Sequence, residues 1–522
     1  LAEAGSHESE KKRLDSRREE SDSMHWTDEV AERLIESGRE IVICTGITPS
    51  GDIHIGNLRE MITADAVYRA LVERGKSSRF YYIADTADPL RRVYPFLDAS
   101  YEEHVGKPLC DVPCPCGRHP NYAEHFLEPF LKSLRELEIS AEALRADELY
   151  REGKYVQTII TALEKRDQIA RIIDEETGKN TPPEWSPFVP RCNRCGRITS
   201  TVVKGFDAKA ALVDYECDCG DRGSASMAGG GKLVWRVDWP ARWSILKVTY
   251  EPFGKDHASR GGSFATGRRI SEEVFGFTTP DAVIYEWLSL KGMGDMSSSK
   301  GNVVSISQML EVVPPDILRY LILRRPPRKS IVLDTGQPML RLIDEYDQAG
   351  AKVESRRAYE LSAITKKPPT GVPYRHLVNV VQMARDDPEE ILAALKRSGY
   401  DVTHKEELLN RAGYARRWLD RFAPEQAKFE LQETLPKEAR NLSEEQRKAL
   451  AALSEKLSEG MSGDEIHQLL YALKDEFGLE PREVFEAIYV VLLGKRRGPR
   501  AGWFLSALET EFLKKRFREA SG

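Results

Sequence analysis

No apolar run in this chain of 522 residues approaches the roughly 20 residues needed to span a bilayer. The N-terminus also lacks the apolar core of a secretory signal. No membrane partner is therefore expected, and a cytoplasmic location is. Cysteine is nearly absent outside two tight groups. Of the eight cysteines, Cys110, Cys114 and Cys116 form one group, Cys192, Cys195, Cys217 and Cys219 the other, and only Cys44 stands alone. Clustered thiols in a long chain without a signal argue for metal rather than disulfides. A large excess of one sign of charge is lacking: the net charge is −6, so any binding to a polyanion must come from local basic patches. Internal repeats are missing. The one biased segment, residues 1–23, is charged and almost free of apolar residues, and is expected to be a disordered arm or an added extension, with Met24 as a candidate natural start.

What is present is an ordinary globular composition, 41% hydrophobic and 31% charged, in a chain long enough for about three or four domains. "EIVICTG" (40–46) is a β-branched run too short for a helix and reads as a buried parallel strand. A Pro/Gly turn follows, then a helical pattern across "NLREMITADAVYRALVERG" and a second strand at "RFYYIAD" (79–85). Strand, helix and strand in that order form a βαβ unit, hence an α/β fold built on a Rossmann-type doubly wound parallel sheet. Helical patterns occupy 123–138 and 154–176, sheet-like patterning is expected across 235–257, and another buried strand across 281–290. From about residue 338 strand signals vanish and helical periodicity takes over, which predicts an all-α C-terminal domain over 338–522.

Two loops carry phosphate-binding chemistry. In "TPSGDIHIGN" (48–57) the turn after the first strand meets a helix N-terminus, where free N–H groups and a partial positive charge favour phosphate. Gly51 and Gly56 allow close backbone approach, and His54 can donate to phosphate oxygens. In "GMGDMSSSKGNVVS" (292–305) Ser297, Ser298, Ser299 and Lys300 are suited to triphosphate oxygens. Two such loops in this order resemble the paired motifs of class I aminoacyl-tRNA synthetases, usually written HIGH and KMSKS. Here Asn57 replaces the second histidine, and Asp295 and Ser298 stand where that pattern has lysines, leaving Lys300 as the cation for pyrophosphate. With "WRVDWPARW" and "YEPFGKDHASRGGS", these departures closely resemble the class I lysyl-tRNA synthetases.

The resemblance implies a lysine–tRNA ligase that activates lysine with ATP to lysyl-adenylate and passes the lysyl group to the terminal adenosine of tRNA(Lys), in class I usually at the 2′-hydroxyl. It implies a catalytic domain over 24–290 with zinc-binding inserts at about 104–125 and 188–235, a KMSKS-type loop and connecting region over 291–337, and an anticodon-binding role for 338–522. The catalytic candidates are His54, Asn57, Ser297, Ser298, Ser299 and Lys300. ATP would be held by these loops through Pro49, Gly51, His54, Gly56, Asn57, Met296, Ser299 and Lys300, together with Gly254 and Asp256, and would bring Mg²⁺ with it. By the same resemblance Gly46 and Thr48 flank the backbone groups of the amino acid. An ammonium calls for a carboxylate and aromatic faces, so Trp235, His257, Asp281 and Tyr285 are candidates for the side-chain pocket. A monomer is the expectation.

Cys192-x2-Cys195 with Cys217-x-Cys219 has the spacing of a tetrahedral structural zinc site. The first group offers more donors than four: Cys114, Cys116, His119 and His125 are the favoured set for a second zinc, with Cys110 and His104 as alternatives. Near the C-terminus "GKRRGPR" (494–500) and "FLKKRFRE" (511–518), with Trp503 and Phe504, suit contacts to phosphates and unstacked bases. The competing readings are a class I synthetase of glutamyl type, which should carry arginines for a substrate carboxylate, and a non-catalytic zinc-containing RNA-binding paralogue.

Overall fold

The computed structural model describes residues 24–292, 304–364 and 370–522. They divide into two compact units. One contains the described residues up to Leu310, Leu318–Leu333 and Arg357–Ile364; the other contains Glu311–Ile317, Asp334–Arg356 and the later described residues to Gly522.

In the first unit, helix α1 (Trp26–Glu36) precedes strand β1 (Ile41–Ile47), helix α2 (Ile55–Glu73) and strand β2 (Ser78–Ala84). Helix α3 (Tyr122–Glu136) then leads to strand β3 (Glu142–Arg145). Strands β1, β2 and β3 run parallel, with Ile41 beside Ser78 and Tyr81 beside Glu142. β1 is buried on both faces, which is why its β-branched residues run without alternation. A cysteine-bearing insert follows: β4 (Phe188–Pro190), the antiparallel ribbon β5 (Thr201–Asp207), β6 (Leu212–Cys217) and β7 (Arg222–Ser226), and β8 (Gly231–Leu233), which pairs with β4 and closes the insert at its base.

Residues 235–246 form helix α4 (Trp235–Leu246), against the sheet-like expectation. The segment is dense in tryptophan and also carries Val237 and Ile245, residue types that favour strands. Yet Trp235, Trp239 and Trp243 recur every four residues, which is one helical face, and their rings pack in series at centroid distances of 5.4 and 5.0 Å. After α4 the chain returns to the sheet. The N–H of Cys44 donates to the Tyr250 carbonyl at 3.0 Å, and Asp281 lies on the far side of Tyr250. Short strands β9 (Phe253–Gly254) and β10 (Ile284–Tyr285) continue this parallel pairing. The expected single strand over 281–290 is broken, because β11 (Leu288–Leu290) leaves to pair with β12 (Ile331–Leu333). The sheet order is therefore β3, β2, β1, then the 249–254 segment, then 281–285. All these strands are parallel, but successive strands are added outward on one side of β1 and then on the other, and the crevice at the carboxyl end of β1 is where such sheets bind ligands.

Beyond Leu333 the described residues contain no strand. The second unit is built from helices including Tyr374–Met383, Lys405–Arg421, Glu444–Lys456, Gly463–Glu476 and Pro481–Leu493.

Candidate active site

A cleft of about 470 Å³ opens at the carboxyl end of β1. Gly46, Thr48, Ser50, His54, Gly56, Asn57 and Glu60 line it from the β1–α2 side; Gly254, Asp256, His257, Tyr285, Trp287, Leu288 and Ser289 line it from the other.

His54 is the N-cap of α2. Its Nδ1 accepts the Gly56 N–H at 3.1 Å, while the Asn57 side-chain oxygen accepts the His54 N–H at 3.3 Å, a capping box. A β-carbon on Gly56 would lie 2.8 Å from the imidazole, so only glycine lets the ring fold over the helix end. Burial pushes the His54 pKa down to about 4. The ring is therefore neutral at physiological pH, and because Nδ1 accepts, Nε2 carries the proton and is free to donate to an anion. Asn57 has a defined place in this arrangement: its side-chain oxygen holds the backbone N–H of His54 at the start of the helix.

Glu60, one helical turn after Asn57, forms the floor of the cleft. Its two oxygens accept from the Gly46 N–H at 2.9 Å and the Tyr285 hydroxyl at 2.8 Å. Burial pushes its pKa up to about 8; those two donors lower it and the Glu251 and Asp85 carboxylates raise it. His257 borders the other wall, with Nδ1 2.7 Å from the Ser263 hydroxyl and its ring 5.3 Å from Trp239. Burial is the main cause of its lowered pKa.

Of the sequence candidates, the structure brings Gly46, Thr48, His54, Gly56, Asn57, Gly254, Asp256, His257 and Tyr285 to this cleft. Pro49 and Gly51 are buried in the turn behind it. Trp235 is not among the residues lining the cleft; it is stacked on Trp239, with its ring 6.0 Å from that of His257. Asp281 is not brought there. It sits at the start of its strand segment, on the opposite end of the sheet, and its carboxylate pairs with Arg33 at 3.1 Å. Met296, Ser297, Ser298, Ser299 and Lys300 lie outside the described residues. The flanks of that segment do reach the cleft: β11 lines it on one side, and on the other Ser305 bridges to His54 while the Ile55 N–H donates to the Val304 carbonyl at 3.3 Å.

Two side-chain groups have the make-up of metal centres. The Sγ atoms of Cys114 and Cys116 and the Nδ1 atoms of His119 and His125 stand 3.2–3.5 Å apart along every edge. The centre of such a tetrahedron is about 2 Å from each corner, close to zinc–nitrogen and zinc–sulfur bond lengths. Glu128 lies 3.2 Å from His119 Nε2, an outer partner that orients the ring. Cys110 and His104 are not in the group; His104 faces Lys107 at 3.1 Å. The sulfurs of Cys192, Cys195, Cys217 and Cys219 likewise fall within 4.8 Å of one another.

Residues 24–367 match the profile of the family described as tRNA synthetases class I (K), and residues 416–521 that of an anticodon binding domain. The chain is 51% identical to the lysine–tRNA ligase of Methanosarcina barkeri, over 96% of this chain and 98% of that one. It is 51% identical to lysine–tRNA ligase 1 of Methanosarcina acetivorans, over 95% and 98%, and 47% identical to the lysine–tRNA ligase of Archaeoglobus fulgidus, over 95% and 100%. The chain belongs to the lysine-type class I tRNA synthetases.

In this class I synthetase the residue that sequence reading passed over is Glu60. Its signal was available: three and four residues after Asn57 and Gly56, it shares their helix face. In the helical unit a cavity of about 450 Å³ is lined by Lys428, Phe429, Arg497, Arg500 and Trp503, so the 494–500 stretch does meet aromatic side chains. The 511–518 stretch is different. Arg516 is buried and donates to the carbonyls of Val491 and Glu433, and Phe517 is a core residue, because that helix packs against its neighbours along this face; Phe504, on the short helix Ala501–Ser506, is also buried.

Proposed function

We propose that the cleft at the end of β1 performs both half-reactions of this lysine–tRNA ligase, with Glu60 receiving the side-chain ammonium of lysine and His54 the phosphates of ATP. The chain is an aminoacyl-tRNA synthetase that uses lysine, ATP and tRNA. The observation that carries the division of roles is the placement of Glu60: a carboxyl on the cleft floor, oriented by Gly46 and Tyr285, with neither arginine nor lysine among the described residues lining the cleft. That lining favours an ammonium and disfavours the carboxylate of glutamate. Glu60 takes the part first given to Asp281.

In the first step the lysine carboxylate oxygen attacks the α-phosphorus of ATP. A new P–O bond forms, and the bond to pyrophosphate breaks. The protein positions the two reactants and stabilises charge on the phosphate oxygens. His54 Nε2–H, aimed from a neutral ring, donates to that charge; the helix N-terminus of α2 adds its own N–H groups. Ser297, Ser298, Ser299 and Lys300 complete the phosphate site in this reading, supported by the anchoring of their flanks beside His54. Mg²⁺ would accompany the nucleotide. In the second step a hydroxyl of the terminal adenosine of tRNA attacks the lysyl carbonyl and releases AMP. The two Cys/His groups are structural zinc sites in this reading, because each supplies four donors and leaves no open position. The helical unit contacts the anticodon through the cavity that Arg497, Arg500 and Trp503 line.

The test is ATP–pyrophosphate exchange with each amino acid in turn. Exchange with lysine and not with glutamate is expected; exchange with glutamate alone would remove the assignment of Glu60.

A further inference from the structure

Thr48 lines the cleft, and its hydroxyl is 2.9 Å from Oδ2 of Asp88. The other oxygen of Asp88 is paired with the ammonium of Lys232, which also lies 3.5 Å from Asp238. The Lys232 side chain is 5% exposed and that of Asp238 is fully buried. Neither Asp88 nor Lys232 lines the cleft. A buried ion pair is a costly feature that a well-packed apolar pair could replace, so its position against a cleft residue calls for a reason.

We propose that Asp88, neutralised by Lys232, is a positioning residue that fixes the Thr48 hydroxyl as a hydrogen-bond acceptor toward the cleft and thereby selects the α-ammonium of the amino acid. This rests on the assignment of Glu60 to the side-chain ammonium. The argument is one of counting protons. A threonine hydroxyl has one hydrogen and two lone pairs, and an ionised carboxylate can only accept. With its hydrogen committed to Asp88, Thr48 offers the cleft lone pairs alone. It then attracts N–H donors and repels carboxylate and phosphate oxygens. Lysine has an ammonium at each end and a carboxylate at only one. With Glu60 at one end of the pocket and an acceptor at Thr48, the carboxylate is turned away from Thr48 and toward the phosphates it must attack.

The charge state of Asp88 follows from its neighbours. Burial alone would push its pKa up, but the Lys232 ammonium and the Thr48 hydroxyl outweigh burial and hold it below the usual carboxylate range. Lys232 stands on β8, at the base of the cysteine ribbon, and Asp88 follows β2; they are 144 residues apart in sequence. The base of the insert thus sets the polarity of one hydroxyl in the cleft.

The test compares two ligands. L-Lysine has the α-ammonium; 6-aminohexanoate has the same chain and carboxylate without it. In Asp88→Asn, Lys232 keeps the amide oxygen and the amide NH₂ turns to Thr48, which reverses the hydroxyl. The KM for lysine in pyrophosphate exchange should rise about 10–100-fold, while the KM for ATP and the inhibition constant of 6-aminohexanoate stay within about twofold. Equal weakening of both ligands would reduce Asp88 to a structural role and overturn the proposal, as would no change in either. Should Asp88→Asn fail to fold by circular dichroism, Thr48→Val carries the same comparison: it should weaken lysine and spare 6-aminohexanoate, and equal losses overturn the proposal. Absence of lysine-dependent exchange in the unmodified protein is a separate result that bears on the proposed function alone.

Discussion

Replacing Glu60 with glutamine removes a charge and little else. The Gly46 N–H can still donate to the amide oxygen, and the Tyr285 hydroxyl oxygen can accept from the amide NH₂, so the floor of the cleft keeps its shape. What is lost is the charged acceptor for the lysine ammonium, worth about 1.5–3 kcal/mol for a hydrogen bond to a charged group. That corresponds to a rise in the KM for lysine of about 10–150-fold, with the KM for ATP nearly unchanged. The pH dependence is a second signature. With a pKa of about 8, free Glu60 is mostly protonated at neutral pH. Lysine needs the ionised form, so binding releases a proton. The KM for lysine should fall close to tenfold per pH unit between about pH 6 and 7 and level off above about 8, well before the lysine side chain deprotonates near 10.4. Glu60→Gln should lose this slope. Steady-state pyrophosphate exchange across pH 6–9 measures both. A variant with unchanged lysine KM, or one whose ATP KM rises equally, would refute the assignment. Asp281→Asn is the control: since Asp281 pairs with Arg33 away from the cleft, its lysine KM should stay within about twofold.

His54→Ala should lower exchange by about two to three orders of magnitude, as loss of an oxyanion-type donor does, and leave tRNA affinity measured by filter binding nearly unchanged. Because the His54 pKa lies near 4, the unmodified enzyme should show no loss of kcat from this group as pH falls from 8 to 5.5, and a kcat titrating near 6.5 would contradict the neutral donor. Cys195→Ser should reduce bound zinc by one equivalent, read by atomic absorption, and lower the melting temperature, while Cys110→Ser should keep the full zinc content; equal zinc loss from both would mean that the first group is mis-assigned.

Much of the site was legible because its parts are local. The capping box of His54 and Asn57 spans four residues, so the helix start and the loop that leads into it could be read together. The Cys192/Cys195 and Cys217/Cys219 spacings are short enough to fix a tetrahedral donor set. Strand β1 announced itself as an unbroken β-branched run because it is buried on both faces. Residues 235–246 were misread for a related reason. Aromatic density is a property of composition, and it outweighed a four-residue spacing that the packed helix obeys.

By itself, the sequence determined the order of strands and helices near the first loop, the four-cysteine group, and the family through motifs whose residues are neighbours along the chain, while the donors of the first metal-type group were left open between six residues. Only the tertiary structure decided which carboxylate lines the cleft. Asp281 and Glu60 are equally acidic in sequence, but the sheet sends one to Arg33 and places the other against Gly46 and Tyr285. It also decided the partners of Thr48. Asp88 and Lys232 meet across 144 residues because the base of the insert, β8, is folded back onto the chain that follows β2. No periodicity or motif encodes such a meeting, since ion pairing depends on distance in space and burial, and both exist only once the chain has folded.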